Sequence, residues 1–160
     1  MNMVDYQSVM TAAEQKCLHQ GIKFTKRRKQ VLSVLIEADV ALSAYEIAEM
    51  CNAGSDSNMP AMSVYRILDL FQEQNLIHRL EIANKYICCA HISCSHEHDK
   101  SQFLICGSCR HVEEINLSED AVIALQAAAS AVGFSAISPQ LEIKGRCAQC
   151  EQSKGQAVTS

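Results

Sequence analysis

Two Cys-x-x-Cys pairs are the strongest chemical signal in the sequence: Cys106 with Cys109, and Cys147 with Cys150. Each pair can place two sulfurs on the same side of a tight turn, so four thiolates can close a tetrahedron around one zinc ion. Because the two pairs lie far apart in the chain, such an ion would join the two ends of a small domain. A closed four-thiolate site has no open position, which predicts a structural role.

A second group of ligand-type side chains precedes the first cysteine pair: His91, Cys94, His96 and His98. The run from His96 to Asp99 suggests a metallohydrolase, but the His-x-His-x-Asp pattern is not met, because Asp99 directly follows the second histidine. A zinc deaminase needs a proline before its Cys-x-x-Cys, and neither pair has one. The sequence therefore predicts a protein that is not an enzyme. We interpret His91, Cys94 and His111 as surface or core residues rather than as a third metal site.

Composition places the chain among globular proteins. Its 160 residues and 48% hydrophobic content suffice for one ordinary domain or two small ones. The nine cysteines are an odd number and four stand in metal-type pairs, so metal ligation fits them better than a disulfide framework. No signal peptide or membrane-spanning stretch is recognisable, so we expect a cytoplasmic protein without a membrane partner. With a net charge of −4, any contact with nucleic acid must come from a local basic face.

Apolar residues recur at helical spacing in four segments of the first half: 6–20, 25–36, 43–51 and 60–74. Thr25 is a suitable N-cap for the second segment, and Ser43 with Glu46 forms a capping box at the start of the third. Two alternating segments, 76–82 and 85–89, then predict a β-hairpin. Four helices followed by a hairpin predict a winged-helix domain.

In the fourth predicted helix we expect the apolar positions to face the core: Val64, Ile67, Leu68 and Phe71. Tyr65 and Arg66 would then point away near its N-terminal end, where a recognition helix contacts base edges and phosphates. An ordinary helical pair with a surface tyrosine and arginine would show the same pattern. The basic run from Lys26 to Lys29 can hold a phosphate or form a solvated charged face. On the hairpin, Arg79 and Lys85 can likewise reach the DNA backbone or remain surface charges.

The second half predicts three strands and one helix: strands over 103–106, 110–115 and 141–144, and a helix capped by Ser118 and ended by Gly133. Such a small domain would bury too little apolar surface by itself. Zinc and a dimer interface would supply the missing stability.

The order of these motifs resembles the ferric uptake regulator superfamily, and specifically its zinc uptake regulator branch. The motifs are Thr25-x-x-Arg28, Ser43-Ala-Tyr45-Glu46, Ser63-Val-Tyr65-Arg66, Leu76-Ile-His78-Arg79, Lys85-Tyr86 and Leu104-Ile-Cys-x-x-Cys109. The resemblance covers roughly residues 15–150 and implies a dimeric, metal-responsive repressor. It implies that Cys106, Cys109, Cys147 and Cys150 are the structural zinc ligands and that Tyr65 and Arg66 contact bases. The further candidate DNA contacts are Lys26, Arg28, Tyr45 and Ser63.

The same resemblance implies a second, regulatory zinc site, whose candidate ligands are His78, Cys89, His96 or His98, and Glu114. Imidazole, thiolate and carboxylate together suit zinc, whereas histidines and carboxylates alone favour ferrous iron or manganese, so Cys89 indicates zinc. Neighbouring strand residues face opposite ways, so only one of Cys88 and Cys89 can point into the site, and alignment on Tyr86 favours Cys89. Two zinc ions per chain are expected.

The expected fold class is α+β: an N-terminal winged helix-turn-helix domain over 1–88, a hinge at about 83–92, a small α/β dimerisation domain over 93–152 with the four-cysteine site, and a disordered tail over 153–160. The expected function is a zinc-responsive repressor of zinc uptake genes that binds double-stranded operator DNA as a homodimer and uses no small-molecule substrate. The alternative is an iron- or peroxide-responsive regulator of the same superfamily, and a more distant one is a zinc storage or redox protein.

Overall fold

A computed structural model describes residues 3–38, 40–53, 58–89, 92, 101–135 and 140–155 of the chain. The chain forms two compact units, residues 1–96 and 97–160. The first contains α1 (Met3–His19), α2 (Lys26–Ala38), α3 (Ala44–Asn52), α4 (Ala61–Glu73), β1 (Ile77–Leu80) and β2 (Lys85–Cys88). The second contains β3 (Ser101–Cys106), β4 (Val112–Asn116), α5 (Glu119–Ala131), β5 (Leu141–Gly145) and α6 (Ala148–Gly155). The expected α+β class is confirmed.

The core of the first unit is built from the apolar stripes of α2, α3 and α4. Its fully buried members include Val31, Leu32, Ile47, Val64, Leu68 and Phe71. The rings of Phe24 and Phe71 lie 6.2 Å apart between centroids and join the segment before α2 to α4. Ile67, which was expected in this core, is only half-buried, because it lies at the edge of the apolar stripe of α4.

Residues close to the helix ends in the sequence determine where the helices begin and end. The hydroxyl of Thr25 accepts a hydrogen bond from the backbone N–H of Arg28 at 3.4 Å. Ser43 and Glu46 form the predicted capping box, in which each side chain accepts from the other's backbone N–H, at 3.3 and 2.7 Å. Gly21, with φ at 69°, ends α1 in the left-handed conformation that glycine adopts without strain.

The hairpin of β1 and β2 is antiparallel, with Ile77 opposite Cys88 and Leu80 opposite Lys85. Leu42 and Tyr86 exchange both of their backbone hydrogen bonds, at 2.9 and 2.7 Å. Leu42, two residues before the start of α3, therefore pairs with β2 and attaches the hairpin, or wing, to the helices. The side chain of Tyr86 is buried in the core of this unit.

The second unit is organised on β3, which lies between β4 and β5 and pairs antiparallel with the first and parallel with the second. One face of this sheet buries Phe103, Ile105 and Val112. The hydroxyl of Ser118 caps α5 by accepting from the backbone N–H of Ala121 at 3.3 Å. Every residue of α5 is at least partly exposed in the single chain, including Ile123 at 61%.

Helix α6 was not foreseen from the sequence pattern, because its residues are mostly polar. Hydrogen bonds from the backbone N–H of Glu151 to the carbonyl of Cys147 and from the Ser153 hydroxyl to the carbonyl of Gln149 build it locally. It includes residues 153–155, which were expected in a disordered tail, whereas 156–160 lie outside the described residues. Within the described ranges, no helix is both long and apolar enough to span a bilayer.

Candidate metal centres and nucleic-acid interface

The four cysteines of the two Cys-x-x-Cys pairs converge in the second unit. The sulfurs of Cys106, Cys109, Cys147 and Cys150 all lie within 4.8 Å of one another. Sulfurs at the corners of a tetrahedron with zinc–sulfur bonds of about 2.3 Å lie about 3.8 Å apart. The Cys109 and Cys147 sulfurs are 3.6 Å apart, which fits that edge. Donor type and spacing therefore fit a four-thiolate structural zinc site, as predicted.

Backbone geometry positions the first pair at the end of β3. Cys106 donates its N–H to the carbonyl of His111 at 2.8 Å, and Arg110 donates back to the carbonyl of Cys106 at 3.0 Å. Arg110 has φ at 65°, so it reverses the chain in the left-handed region. Gly107 donates to the carbonyl of Gly145 at 3.0 Å and thereby links this turn to the end of β5, just before the second pair.

Hydrogen bonds within the cysteine cluster shift the pKa values of two of its thiols in opposite directions. Backbone N–H groups of Cys109, Cys147 and Ser108 lower the pKa of Cys106 to about 5, and the Cys147 N–H lies 3.4 Å from its sulfur. Hydrogen bonds among the thiols, with Cys109 first and Cys147 next, raise the pKa of Cys150 to about 12, because one proton is held among several sulfurs. A divalent ion replaces such protons, so metal binding to this cluster releases them.

A second ligand pair lies on the wing of the first unit. His78 is on β1 opposite Ile87 and is 8% exposed, and Cys89 directly follows β2 and is 2% exposed. A ring nitrogen of His78 and the sulfur of Cys89 lie within 4.8 Å of one another. The backbone N–H of Cys89 donates to the carbonyl of Leu76 at 3.0 Å, which continues the pairing of the hairpin and fixes the direction of the Cys89 side chain.

Cys88 and Cys89 differ as strand alternation requires. The Cys89 sulfur belongs to the buried pair with His78, whereas Cys88 is half-buried and its sulfur lies 4.0 Å from the carbonyl oxygen of Leu76.

In the second unit, Glu114 is half-buried on β4, opposite Phe103 on β3, while neighbouring Glu113 is exposed and pairs with His111 at 3.1 Å. Of the other predicted ligands, His96 and His98 lie outside the described residues, as do His91 and Cys94.

The predicted DNA-contact residues lie near the N-terminal ends of α2, α3 and α4. Arg66 is exposed on α4, and Ser63 is half-buried one turn before it. Tyr65, expected to point away from the core, is half-buried instead, because it packs against the core and lies edge-on to the ring of Tyr45, with centroids 6.1 Å apart. Tyr45 itself is 69% exposed on α3. The contact between Tyr45 and Tyr65 therefore joins the surfaces of α3 and α4.

The basic run at the start of α2 is divided between internal contacts and solvent. Lys26 is exposed, and Arg28 donates to the backbone carbonyl of Lys23. Lys29 pairs with Glu14 of α1 at 2.9 Å and lies 5.6 Å above the ring of Phe24. Lys29 therefore stabilises the packing of α1 on α2, and Lys26 and Arg27 are the exposed cations of this run.

Lys85 has a different role from the phosphate contact suggested by the sequence. Its ammonium group donates to both carboxylate oxygens of Glu46, at 2.8 and 3.0 Å, and its side chain is only 19% exposed. This ion pair joins the wing to the capping box of α3. Sequence reasoning missed it because the two residues lie 39 positions apart and only the Leu42–Tyr86 pairing brings them together.

Three features together define a metal-binding transcription regulator. They are a wing with a histidine–cysteine pair, helices with an exposed arginine, and a four-thiolate site. The model of the ferric uptake regulator family matches residues 19–144. The chain therefore belongs to the ferric uptake regulator family, and the resemblance to its zinc uptake regulator branch is confirmed.

Individual relatives agree with this assignment. The zinc uptake regulation protein of Escherichia coli K12 is 29% identical over 150 residues, covering 94% of this chain and 85% of its own. Among solved structures, a zinc uptake regulator complexed with zinc and DNA superimposes with a TM-score of 0.80 at 25% identity, covering 97% of this chain and 99% of its own. Holo XcZur superimposes with a TM-score of 0.71 at 31% identity, covering 89% and 96%.

Proposed function

We propose that the protein is a zinc-responsive transcriptional repressor that binds operator DNA as a homodimer when a regulatory zinc site is filled, and that it controls zinc uptake genes. The observation that carries this proposal is the buried His78–Cys89 pair on the wing, because it places metal ligands within the DNA-binding unit itself. The zinc- and DNA-bound relative supports the same function. Such a regulator acts in the cytoplasm and needs no catalytic residue or small-molecule substrate.

The regulatory site would consist of His78, Cys89, Glu114 and one of His96 or His98. The first two ligands belong to the winged-helix unit and Glu114 to the sheet unit. When bound, zinc would supply a bond between elements of the two units and so favour one orientation of the helices that contact DNA. By linkage, operator DNA must then increase the affinity for zinc by the same factor.

The donor types favour zinc over iron in this site. A thiolate beside imidazole and carboxylate is a ligand set that zinc accepts readily, whereas iron and manganese regulators favour oxygen and nitrogen donors. With the four-cysteine site, this makes two zinc ions per chain. An iron- or peroxide-responsive regulator is the second candidate, since the ferric uptake regulation protein of Campylobacter jejuni is 27% identical over 164 residues.

Dimerisation is supported by apolar surface in the second unit. Large apolar side chains are exposed on α5, after it and on the sheet: Leu104, Ile123, Leu125, Val132, Phe134 and Ile143. Leu104 and Ile143 are neighbours on adjacent strands, and exposed apolar surface of this kind marks an interaction surface. A two-fold dimer would cover it and would present two copies of α4 to successive major-groove faces about 34 to 36 Å apart.

DNA contact would be made by Tyr65 and Arg66 at base edges, with Tyr45 and Ser63 beside them and with Lys26 and Arg28 at the phosphate backbone. Arg66 is the exposed cation of α4, and arginine commonly reads guanine through two hydrogen bonds. The N-terminal ends of α2 and α4 carry no acidic residue in their first turns, which suits contact with a polyanion.

The test combines metal analysis with gel shifts of wild type, Cys89→Ser and the matched control Cys88→Ser. Wild type should hold two zinc ions per chain, of which mild chelation removes one together with DNA binding. Cys89→Ser should keep one zinc and lose zinc-dependent binding, while Cys88→Ser should behave as wild type. Unchanged zinc-dependent DNA affinity in Cys89→Ser would refute the regulatory site.

Parallel titrations separate the candidate functions. Restoration of DNA binding by zinc at lower free concentrations than ferrous iron or manganese identifies the zinc regulator, and the reverse order identifies the second candidate. A storage protein would bind zinc without any DNA shift.

A further inference from the structure

We propose that Met62 is a specificity-determining residue, whose side chain reads the 5-methyl group of a thymine in the major groove. The inference rests on the proposed DNA binding and adds to it a residue that none of the sequence motifs includes. Its chemistry differs from that of Arg66, because methionine offers an apolar contact where arginine offers hydrogen-bond donors.

Met62 is exposed on the outer face of α4. It is the second residue of the helix and 64% exposed, whereas Val64, Leu68 and Phe71 on the opposite face are fully buried. Helical spacing places Met62 on the same side as exposed Arg66, one turn further along. DNA whose bases contact Arg66 would therefore come within reach of Met62 as well.

The distribution of charge along this face favours contact with DNA at the N-terminal end of α4. The acidic residues Asp69 and Glu73 are exposed in the C-terminal half of α4, and its first turn has no acidic residue. A polyanion can therefore approach closely at the end that carries Met62 and Arg66. Recognition helices contact base edges with their N-terminal residues, which is the end where Met62 lies.

Thymine is the base whose major-groove edge offers an apolar group, the 5-methyl. The flexible, polarisable side chain of methionine adapts its shape to such a partner. Tyr65 is less available for this contact, because it is half-buried and packs edge-on to Tyr45 at 6.1 Å. Met62, by contrast, is the most exposed large apolar side chain of α4.

The test uses full-length, zinc-loaded protein and a duplex that this protein selects from a randomised DNA library. Each thymine is replaced in turn by deoxyuridine, which removes only the 5-methyl group, and affinities are measured for wild type, Met62→Ala and Met62→Leu. Wild type should lose about fourfold affinity at one thymine of each half-site, as expected for one methyl-sized apolar contact. Met62→Leu should keep this sensitivity, and Met62→Ala should lose it.

Met62→Ala should also bind the thymine duplex about fourfold more weakly per half-site than wild type does. The matched control is Leu18→Ala, which truncates an equally exposed apolar residue on α1 and should bind as wild type. If Met62→Ala keeps the full wild-type sensitivity at every thymine, or if wild type is insensitive to all replacements, the assignment is wrong. If wild type selects no DNA at all, the proposed function itself fails.

Discussion

Replacing Lys85 by methionine should weaken the first unit in a pH-dependent manner. The substitution keeps an unbranched side chain but removes the cation that donates to both oxygens of Glu46, at 2.8 and 3.0 Å. The hydrogen bond from Lys85, followed by that from the Ser43 backbone, lowers the pKa of Glu46 from 4.5 to about 2. Because the folded-state pKa is lowered, the carboxylate stabilises the fold above about pH 5, and this contribution is lost as the pH falls towards 2.

The size of the effect follows from that shift and from the exposure of the pair. Lowering the pKa of Glu46 from 4.5 to about 2 would correspond to roughly 3 kcal/mol if it were expressed in full. The Glu46 side chain is 39% exposed and part of its shift comes from the capping box, so solvent screening reduces the share of Lys85. We therefore expect Lys85→Met to lower the free energy of unfolding by about 1 kcal/mol at pH 7 and by close to zero near pH 2.

Tyrosine fluorescence provides an assay confined to this unit, because the chain has no tryptophan and all four tyrosines lie between Tyr6 and Tyr86. Urea unfolding in chelator, followed by this signal, compares wild type, Lys85→Met, Glu46→Gln and the double variant from pH 7 to pH 3. The coupling energy of the double-mutant cycle should decline with pH. A cost of Lys85→Met that is the same at pH 3 and pH 7 would show that the ammonium–carboxylate pair is not its source.

Two further predictions concern the DNA and dimer surfaces. Arg66→Ala should cost about 1 to 3 kcal/mol of specific DNA binding, measured by gel shift, because it removes the guanidinium that we propose contacts a base. The control is Gln72→Ala, exposed at the other end of α4. An unaltered footprint in Arg66→Ala would contradict the recognition-helix assignment. Ile123→Glu should give monomers in analytical ultracentrifugation, since it buries a charge in the proposed interface. Exposed Gln126→Glu on the same helix should remain dimeric, and a dimeric Ile123→Glu would move the interface elsewhere.

The sequence by itself determined the features that depend on neighbours a few positions apart. The cap at Thr25, the capping box of Ser43 and Glu46, and the two Cys-x-x-Cys turns all follow from side chains that contact backbone or ligand within one turn. The periodic apolar stripes likewise predicted all of the helices except α6, whose polar sequence carries no such stripe.

Only the tertiary structure decided what depends on distant parts of the chain. It showed that Lys85 binds Glu46, that Tyr65 packs against Tyr45, and that β5 runs parallel to β3 and delivers the second cysteine pair beside the first. Composition and periodicity do not encode such pairings, because they arise when separate elements pack together. Both the sequence and the fold bear on the choice between Cys88 and Cys89. Strand alternation allowed either cysteine to be the candidate ligand, and the folded hairpin buries Cys89 beside His78.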